Sequence, residues 1–420
     1  MKVLVAHPQQ QHSYMLARAL LAAGHDVTYM TTVYGSPRSL TRVATRFLGG
    51  NDRSKAEGRY MVDFPDKRVV QRYEALGLLS LLLLRVDKNK KLYNALNCWI
   101  DEHFGHKVAE LAKQGDFDAV VCYNEHALST FKELSHTAPG IARVLDVSAS
   151  MKPYHAKAFL EDIEANPWLP AKRKREFVDY FHNGLGEAFD EVAASDWFLS
   201  PSAHVDKSLC FCGANSDMII RCPYGSNFEV DKDNSATHSP VRFVYCGRAS
   251  MPKGIHHLLR AADTLEPGSF ELSIIGAYDN ADGFLTPYLN KYEFTGNVLK
   301  SHVKEIMSKS DVMVFPSLTD GMSLACLEAL ACGLPLLTTT ATGASDFVVE
   351  GSNGFVVEPG DEAALAEHMR WFMEHPHELE AMKSAAVESA RKITWKAYNE
   401  CVKDAFGRIG GEQTFERQTL

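Results

Sequence analysis

The chain has 420 residues, with 44 Lys and Arg against 53 Asp and Glu, a formal net charge of −9 at pH 7, 45% hydrophobic and 23% charged residues. At roughly 100–200 residues per domain this length predicts two or three domains, and the composition excludes a disordered or fibrous chain. The acidic balance excludes a general nucleic-acid binder, which needs a basic face to displace counterions.

The opening Met-Lys-Val-Leu-Val-Ala runs directly into an apolar stretch with none of the features of a secretory signal, so a cytoplasmic protein is expected. Lys2–Ala6 reads as a short buried strand, residues 15–23 as an amphipathic helix ending at Gly24, and Asp26–Thr31 as a second strand. This order opens a doubly wound α/β domain with parallel strands and right-handed crossovers. Further strands are predicted at Ala119–Tyr123, Ala142–Asp146 and Trp197–Ser200. A second series follows at 218–222, 242–246, 271–275, Val312–Phe315, 335–338 and Gly354–Val357. The expected domains are residues 1–204 and 205–395, with a C-terminal helix from about 396 to 420 packing back on the first. The polar stretch 227–240 reads as a connection. Nine cysteines lie mostly in apolar runs, as reduced core thiols do, and Cys210 and Cys212 have no companion pair for a zinc site.

Residues 36–115 interrupt the first series. Between 36 and 91, thirteen Lys and Arg stand against six Asp and Glu. The leucine-rich run 76–84 is far shorter than the roughly 20 apolar residues needed to span a bilayer. It has two readings: a buried core helix, or an interfacial helix whose collar of Lys88, Lys90 and Lys91 contacts an anionic membrane surface. A second basic cluster, 172–175, reads as a solvated helix face.

The chemistry concentrates between Phe243 and Asp361. An apolar strand ends at Gly247 and Arg248, and Lys253-Gly254 opens the helical pattern 255–265. Strand ends of open α/β sheets face the ligand crevice, and helix starts present unpaired N–H groups to anions. Arg248 offers a fork of donors to a diphosphate and Lys253 a mobile point charge. Further on, Pro316-Ser317 ends a strand, residues 319–322 form a turn, and 323–331 has helical spacing up to Cys332-Gly333-Leu334-Pro335. Asp320 and Glu328 stand eight positions apart, about 12 Å along a helix, too far to share a proton. They read as serving different parts of one ligand: Asp320 sugar hydroxyls, the N–H groups of Gly321, Met322, Ser323 and Leu324 phosphate oxygens, and Glu328 a ribose. The structural alternative is an N-cap Asp and an ordinary helix Glu.

These residues resemble family 4 of the retaining GT-B glycosyltransferases. The family's order of motifs is matched by Gly247-Arg248, Lys253-Gly254, Pro316-Ser317, Asp320-Gly321, Leu327-Glu328-Ala329, Ala331-Cys332-Gly333-Leu334-Pro335, Gly351-Ser352-Asn353-Gly354 and Pro359-Gly360-Asp361. The resemblance implies two Rossmann-like doubly wound domains facing across a cleft. It implies Arg248 and Lys253 on the diphosphate of a UDP- or GDP-sugar, Glu328 on the ribose, and Asp320 with Gly321–Ser323 on the transferred hexose. His126, at the end of strand Ala119–Tyr123, is similar to a histidine that touches the donor sugar in some members. The sequence departs from the family at Asp320, where a Glu is usual, and at His7-Pro8-Gln9-Gln10-Gln11-His12, where a Gly-Gly loop is usual. The implied activity is metal-independent hexosyl transfer, without a cofactor beyond the donor, to a lipid-linked or envelope saccharide or glycolipid at the inner membrane face. The alternative is a sugar-binding or partner subunit that kept the fold.

Overall fold

The computed structural model describes residues 1–171, 174, 185–230 and 237–419. Seven strands build the first sheet: Lys2–Ala6 (β1), Asp26–Thr31 (β2), Val69–Gln71 (β3), Ala119–Tyr123 (β4), Ala142–Asp146 (β5), Trp197–Ser200 (β6) and Ile219–Arg221 (β7). Their order is β3-β2-β1-β4-β5-β6-β7 and every pairing is parallel. Six more build the second: Val241–Cys246 (β8), Phe270–Ile275 (β9), Glu293–Gly296 (β10), Val312–Phe315 (β11), Leu336–Thr339 (β12) and Gly354–Val357 (β13). Here the order is β10-β9-β8-β11-β12-β13, again all parallel. Parallel strands cannot be joined by hairpins, so helices cross between them and cover both faces. That is why β4 and β11 are apolar and buried along their whole length.

In both sheets the strand order reverses beside the first strand, β1 next to β4 and β8 next to β11, which opens a crevice at the strands' carboxyl ends. The sequence motifs occupy the second of these crevices.

The structure corrects three readings. Strand 218–222 does not open the second series: Ile219–Arg221 pairs with β6 through Phe198↔Ile219 and Ser200↔Arg221. A boundary at 204/205 therefore cuts through the first sheet, and the chain passes to the second between Arg221 and Val241. Strands β3 and β10 carry no strong sequence signal, being short edge strands of which no residue is fully buried. The run 76–84 is not a core helix: within Glu74–Val86 only Gly77 and Ser80 are buried, while Leu79, Leu82 and Leu84 face solvent. Of the second basic cluster, Lys172, Arg173 and Arg175 lie outside the described residues; Lys174 donates to the Pro167 carbonyl at 2.9 Å.

The helix Trp395–Thr419 leaves the second domain and lies against the first. Phe406 meets the His25 ring at 5.8 Å, Arg408 sits 5.0 Å over the Trp197 ring, and Gly410 abuts the Met1 side chain.

Candidate functional site

The second sheet aims its motif residues at one place. Tyr245, buried in β8, donates from its hydroxyl to the Arg248 carbonyl at 2.8 Å and pins the turn that follows the strand. Arg248 emerges exposed, and its guanidinium has no ion-pair partner among the described residues. Gly254 has φ +68°, and a Cβ there would lie 1.8 Å from the Pro316 carbonyl oxygen. Only glycine lets the start of helix Ile255–Asp263 come this close to the end of β11. That approach sets Lys253 beside the β11 loop: its ammonium pairs with the Asp320 carboxylate and lies 5.9 Å from the Phe315 ring centroid.

Helix Leu324–Ala331 starts at Ser323, whose side chain makes no cap. Asp320 is not the cap either, since its carboxylate is turned to Lys253. The backbone N–H groups of Gly321, Met322, Ser323 and Leu324 donate to no acceptor among the described residues, although the first three residues are buried. Buried unpaired donors are costly, and four in succession at a helix start form a concentrated partial positive charge suited to an anion.

Glu328 is 9% exposed, accepts from Asn227 Nδ2 at 3.1 Å and forms an ion pair with Lys300 Nζ at 3.1 Å. Asn227 is itself held by Trp395, whose Nε1 donates to its Oδ1 at 3.1 Å. Burial, with the Glu328 carboxylate nearby, pushes the Cys246 thiol up to about 12. Glu328 lies in the helix that the four amides begin. Lys253, Asp320, the four amides and Glu328 thus belong to one site. Neither Asn227, which opens the polar stretch 227–240, nor Lys300 was assigned to this site from the sequence; the fold brings both to Glu328.

The first domain faces this site with residues that close its own strands. Gly321 approaches it most tightly, since a Cβ there would lie 2.3 Å from the Ser148 carbonyl oxygen in the loop after β5. Its own carbonyl accepts from Ser202 Oγ at 2.6 Å, and Thr319 Oγ1 meets Ser150 Oγ at 3.1 Å and His204 Nε2 at 3.0 Å. Burial lowers His204 to about 4, against the pull of Asp320. It is therefore a neutral hydrogen-bonding group at neutral pH.

His126 follows β4, and its recorded neighbours all belong to the first domain. Nδ1 lies 3.1 Å from Asp101 Oδ1, without the alignment of a hydrogen bond, and the ring is 5.1 Å from that of His7. Burial opposes its charge, but Asp101, Glu125 and Glu191 outweigh burial, and its pKa stands above the ordinary imidazole value. The loop that replaces a Gly-Gly turn is held by side chains. His7 Nδ1 accepts from the Gln9 N–H at 2.8 Å, and His12 Nε2 lies 3.0 Å from both Asp146 Oδ2 and the Tyr224 hydroxyl. Burial, then His126, keeps His7 neutral.

Several motif residues are architectural. Asn353 fixes its turn by accepting from the Val349 N–H at 2.7 Å and donating to the Phe347 carbonyl and Ser389 Oγ. Asp361 caps helix Glu362–Glu374 by accepting from the Ala364 N–H at 2.9 Å. A separate interdomain cavity of ≈ 1070 Å³, lined by Tyr154, Asp162, Trp168, Leu318 and Asp361 among others, includes none of Arg248, Lys253, Asp320 or Glu328. At its wall the buried Asp162, His256 and His257 have metal-ligating side chains within 4.8 Å of one another. Asp162 carboxylate oxygens lie 3.1 Å from His256 Nε2 and 2.7 Å from His257 Nε2, while His256 Nδ1 is buried without a hydrogen-bond partner among the described residues.

The comparisons agree with this architecture. Residues 240–375 match the model of the glycosyl transferases group 1 family. A capsular polysaccharide biosynthesis glycosyltransferase of Staphylococcus aureus, CapM, is 30% identical over 215 residues, 48% of this chain and 57% of that protein. A sulfoquinovosyl transferase of Arabidopsis thaliana is 26% identical over 229 residues, 49% of this chain and 43% of that protein. The chain thus spans about half the length of the curated relatives it matches. The crystal structure of Anabaena HepE in complex with UDP superposes with a TM-score of 0.61 at 14% identity, over 97% of this chain and 100% of that one. The protein has the GT-B fold of two α/β domains. The match to the group 1 glycosyltransferase model falls within the second domain.

Proposed function

We propose that this protein is a retaining, metal-independent hexosyltransferase that uses a UDP- or GDP-sugar and glycosylates a hydroxyl of a lipid-linked or envelope saccharide. The observation that carries the reading is the four unpaired amides of Gly321–Leu324 beside the Lys253–Asp320 pair, with Glu328 on the same helix. An anionic diphosphate satisfies those donors and draws Lys253, while Arg248 adds a fork of N–H groups from the opposite strand end. Together these groups supply the positive charge that phosphate departure requires, so no metal is needed in this reading. Glu328, already fixed by Asn227 and Lys300, is set to accept from ribose hydroxyls.

In the reaction the bond between the anomeric carbon and the diphosphate oxygen breaks. The acceptor oxygen adds to the same face, and its proton passes to the departing phosphate oxygen. Asp320 is set to accept from the hexose hydroxyls once phosphate engages Lys253. His126, at the end of β4, is assigned to the transferred sugar of the donor, as the resemblance implies. The capsular polysaccharide enzyme among the relatives supports an envelope saccharide as acceptor.

The test is incubation with a panel of UDP- and GDP-hexoses and bacterial membrane glycolipid. One donor is expected to release its nucleoside diphosphate, with the product's anomeric configuration by NMR the same as the donor's. Binding of a nucleotide sugar with no release for any acceptor would instead identify a sugar-binding subunit.

A further inference from the structure

Two adjoining helices of the first domain are built inside out. In the helix Glu74–Val86, the exposed positions Ala75, Leu79, Leu82 and Val86 follow the i, i+4, i+7, i+11 spacing of a single face, and that face is apolar. The inward positions are Gly77, against Thr32 and Val33, and Ser80, whose hydroxyl donates to Asn97 Oδ1 at 2.9 Å. The helix Leu40–Thr45 repeats the inversion. Leu40, Val43 and the following Phe47, the last 85% exposed, point out, while Thr41 and Thr45 are buried. Thr41 joins the helices, donating from N–H and hydroxyl to Glu74 Oε1 at 2.7 Å each. A solvated helix normally places its leucines inward, so two neighbouring inversions leave a contiguous apolar face that water does not favour.

Cations flank those apolar positions along the chain: Arg38, Arg42, Arg46, Lys88 and Lys91 are exposed, as is Arg85, which pairs with Asp52 at 2.8 Å. They sit on a chain whose net charge is −9.

We propose that this face docks the first domain on an anionic lipid bilayer, with the leucines and Phe47 entering the acyl boundary and the Arg/Lys rim meeting lipid phosphates. A self-associated dimer is disfavoured by charge, because a two-fold interface would set one basic rim against its copy. The inference does not rest on the donor site, but it bears on the acceptor. The helix Glu74–Val86 packs by Gly77 on Thr32, whose hydroxyl donates to the Pro8 carbonyl at 2.5 Å. One helix therefore separates the docking face from the loop after β1, a spacing of about 10 Å.

The experiment is co-sedimentation of the full chain with phosphatidylcholine vesicles, with and without 30 mol% phosphatidylglycerol, alongside a Phe47→Glu/Leu79→Glu/Leu82→Glu variant. Melting of the variant is expected to match the wild type, since all three side chains are exposed. The wild type should bind the anionic vesicles and release them as salt rises, and the variant should lose about tenfold or more of that affinity. Three results would overturn the proposal: equal binding by wild type and variant, no binding to anionic vesicles, or a wild-type dimer by light scattering that the variant abolishes without any vesicle binding. Since no nucleotide sugar is present, failure here leaves the donor reading standing.

Discussion

The helices Leu324–Ala331 and Glu74–Val86 are both rich in leucine and alanine, and they use those residues in opposite ways. In the first, Leu327, Ala329, Leu330 and Ala331 are fully buried, because the helix packs on β11 and β12 and under the helix Pro376–Ala390. In the second, no leucine is fully buried and Leu79, Leu82 and Leu84 are exposed. Hydrophobicity alone does not tell these apart; the neighbours do. One helix presents its N-terminus to a ligand crevice and makes its sides core, whereas the other presents its side to the outside.

The contrast breaks most sharply where the second domain stores buried charge. Asp311 and Lys383 are fully buried, 3.1 Å apart, with the Arg242 N–H also donating to Asp311 at 2.8 Å. Lys383→Met removes the ammonium from that buried carboxylate, which keeps the Arg242 N–H and His238 Nδ1 at 3.0 Å, and is expected to cost ~3 kcal/mol in urea unfolding. Nothing comparable is expected from charge reversal on the basic rim. Next in size is a matched pair of truncations: Leu327→Ala should cost ~2–5 kcal/mol through the cavity it leaves, while Leu82→Ala should stay within about 0.5 kcal/mol. Equal losses in the two would show that the outward face is covered in the folded protein.

A smaller effect sharpens the comparison in the first domain. Glu191 is buried and accepts N–H bonds from Glu125 and Ala127 at 2.9 Å each, yet burial still lifts it to about 7. A folded pKa above the unfolded value contributes stability that is fully present below the ordinary carboxylate range and is lost as pH rises through 7. Glu191→Gln removes that titration. Its melting temperature relative to wild type is expected to rise between pH 5 and pH 8, and a constant difference across that range would contradict the assignment.

What the sequence revealed follows the range over which each interaction acts. Lys253-Gly254 and the turn before Leu324 were legible because local backbone demands fix them: Gly254 has no alternative at φ +68° against Pro316, and the helix start supplies its own amides. The pairing of Lys253 with Asp320 was not read, though both residues were, because they stand 67 positions apart and only the packing of Gly254 on Pro316 brings them together. Lys300 carried no signal, and Asn227 was read only as the start of a polar connection, because only the packed domain carries the two to Glu328. Strand β7 was recognised but assigned to the wrong sheet, since periodicity announces a strand without naming its partner. For the leucine run, composition suggested a core, and the exposed stripe emerged only once Gly77 and Ser80 were seen to face inward.

The central claim is a diphosphate held by Lys253 and the amides ahead of Leu324, and titration calorimetry with UDP and GDP tests it most directly. One of the two should bind the wild type, and Lys253→Ala should weaken it by roughly tenfold or more, about 1.4 kcal/mol, with the melting temperature of the free protein unchanged. Nucleotide binding of equal strength in Lys253→Ala would contradict the account.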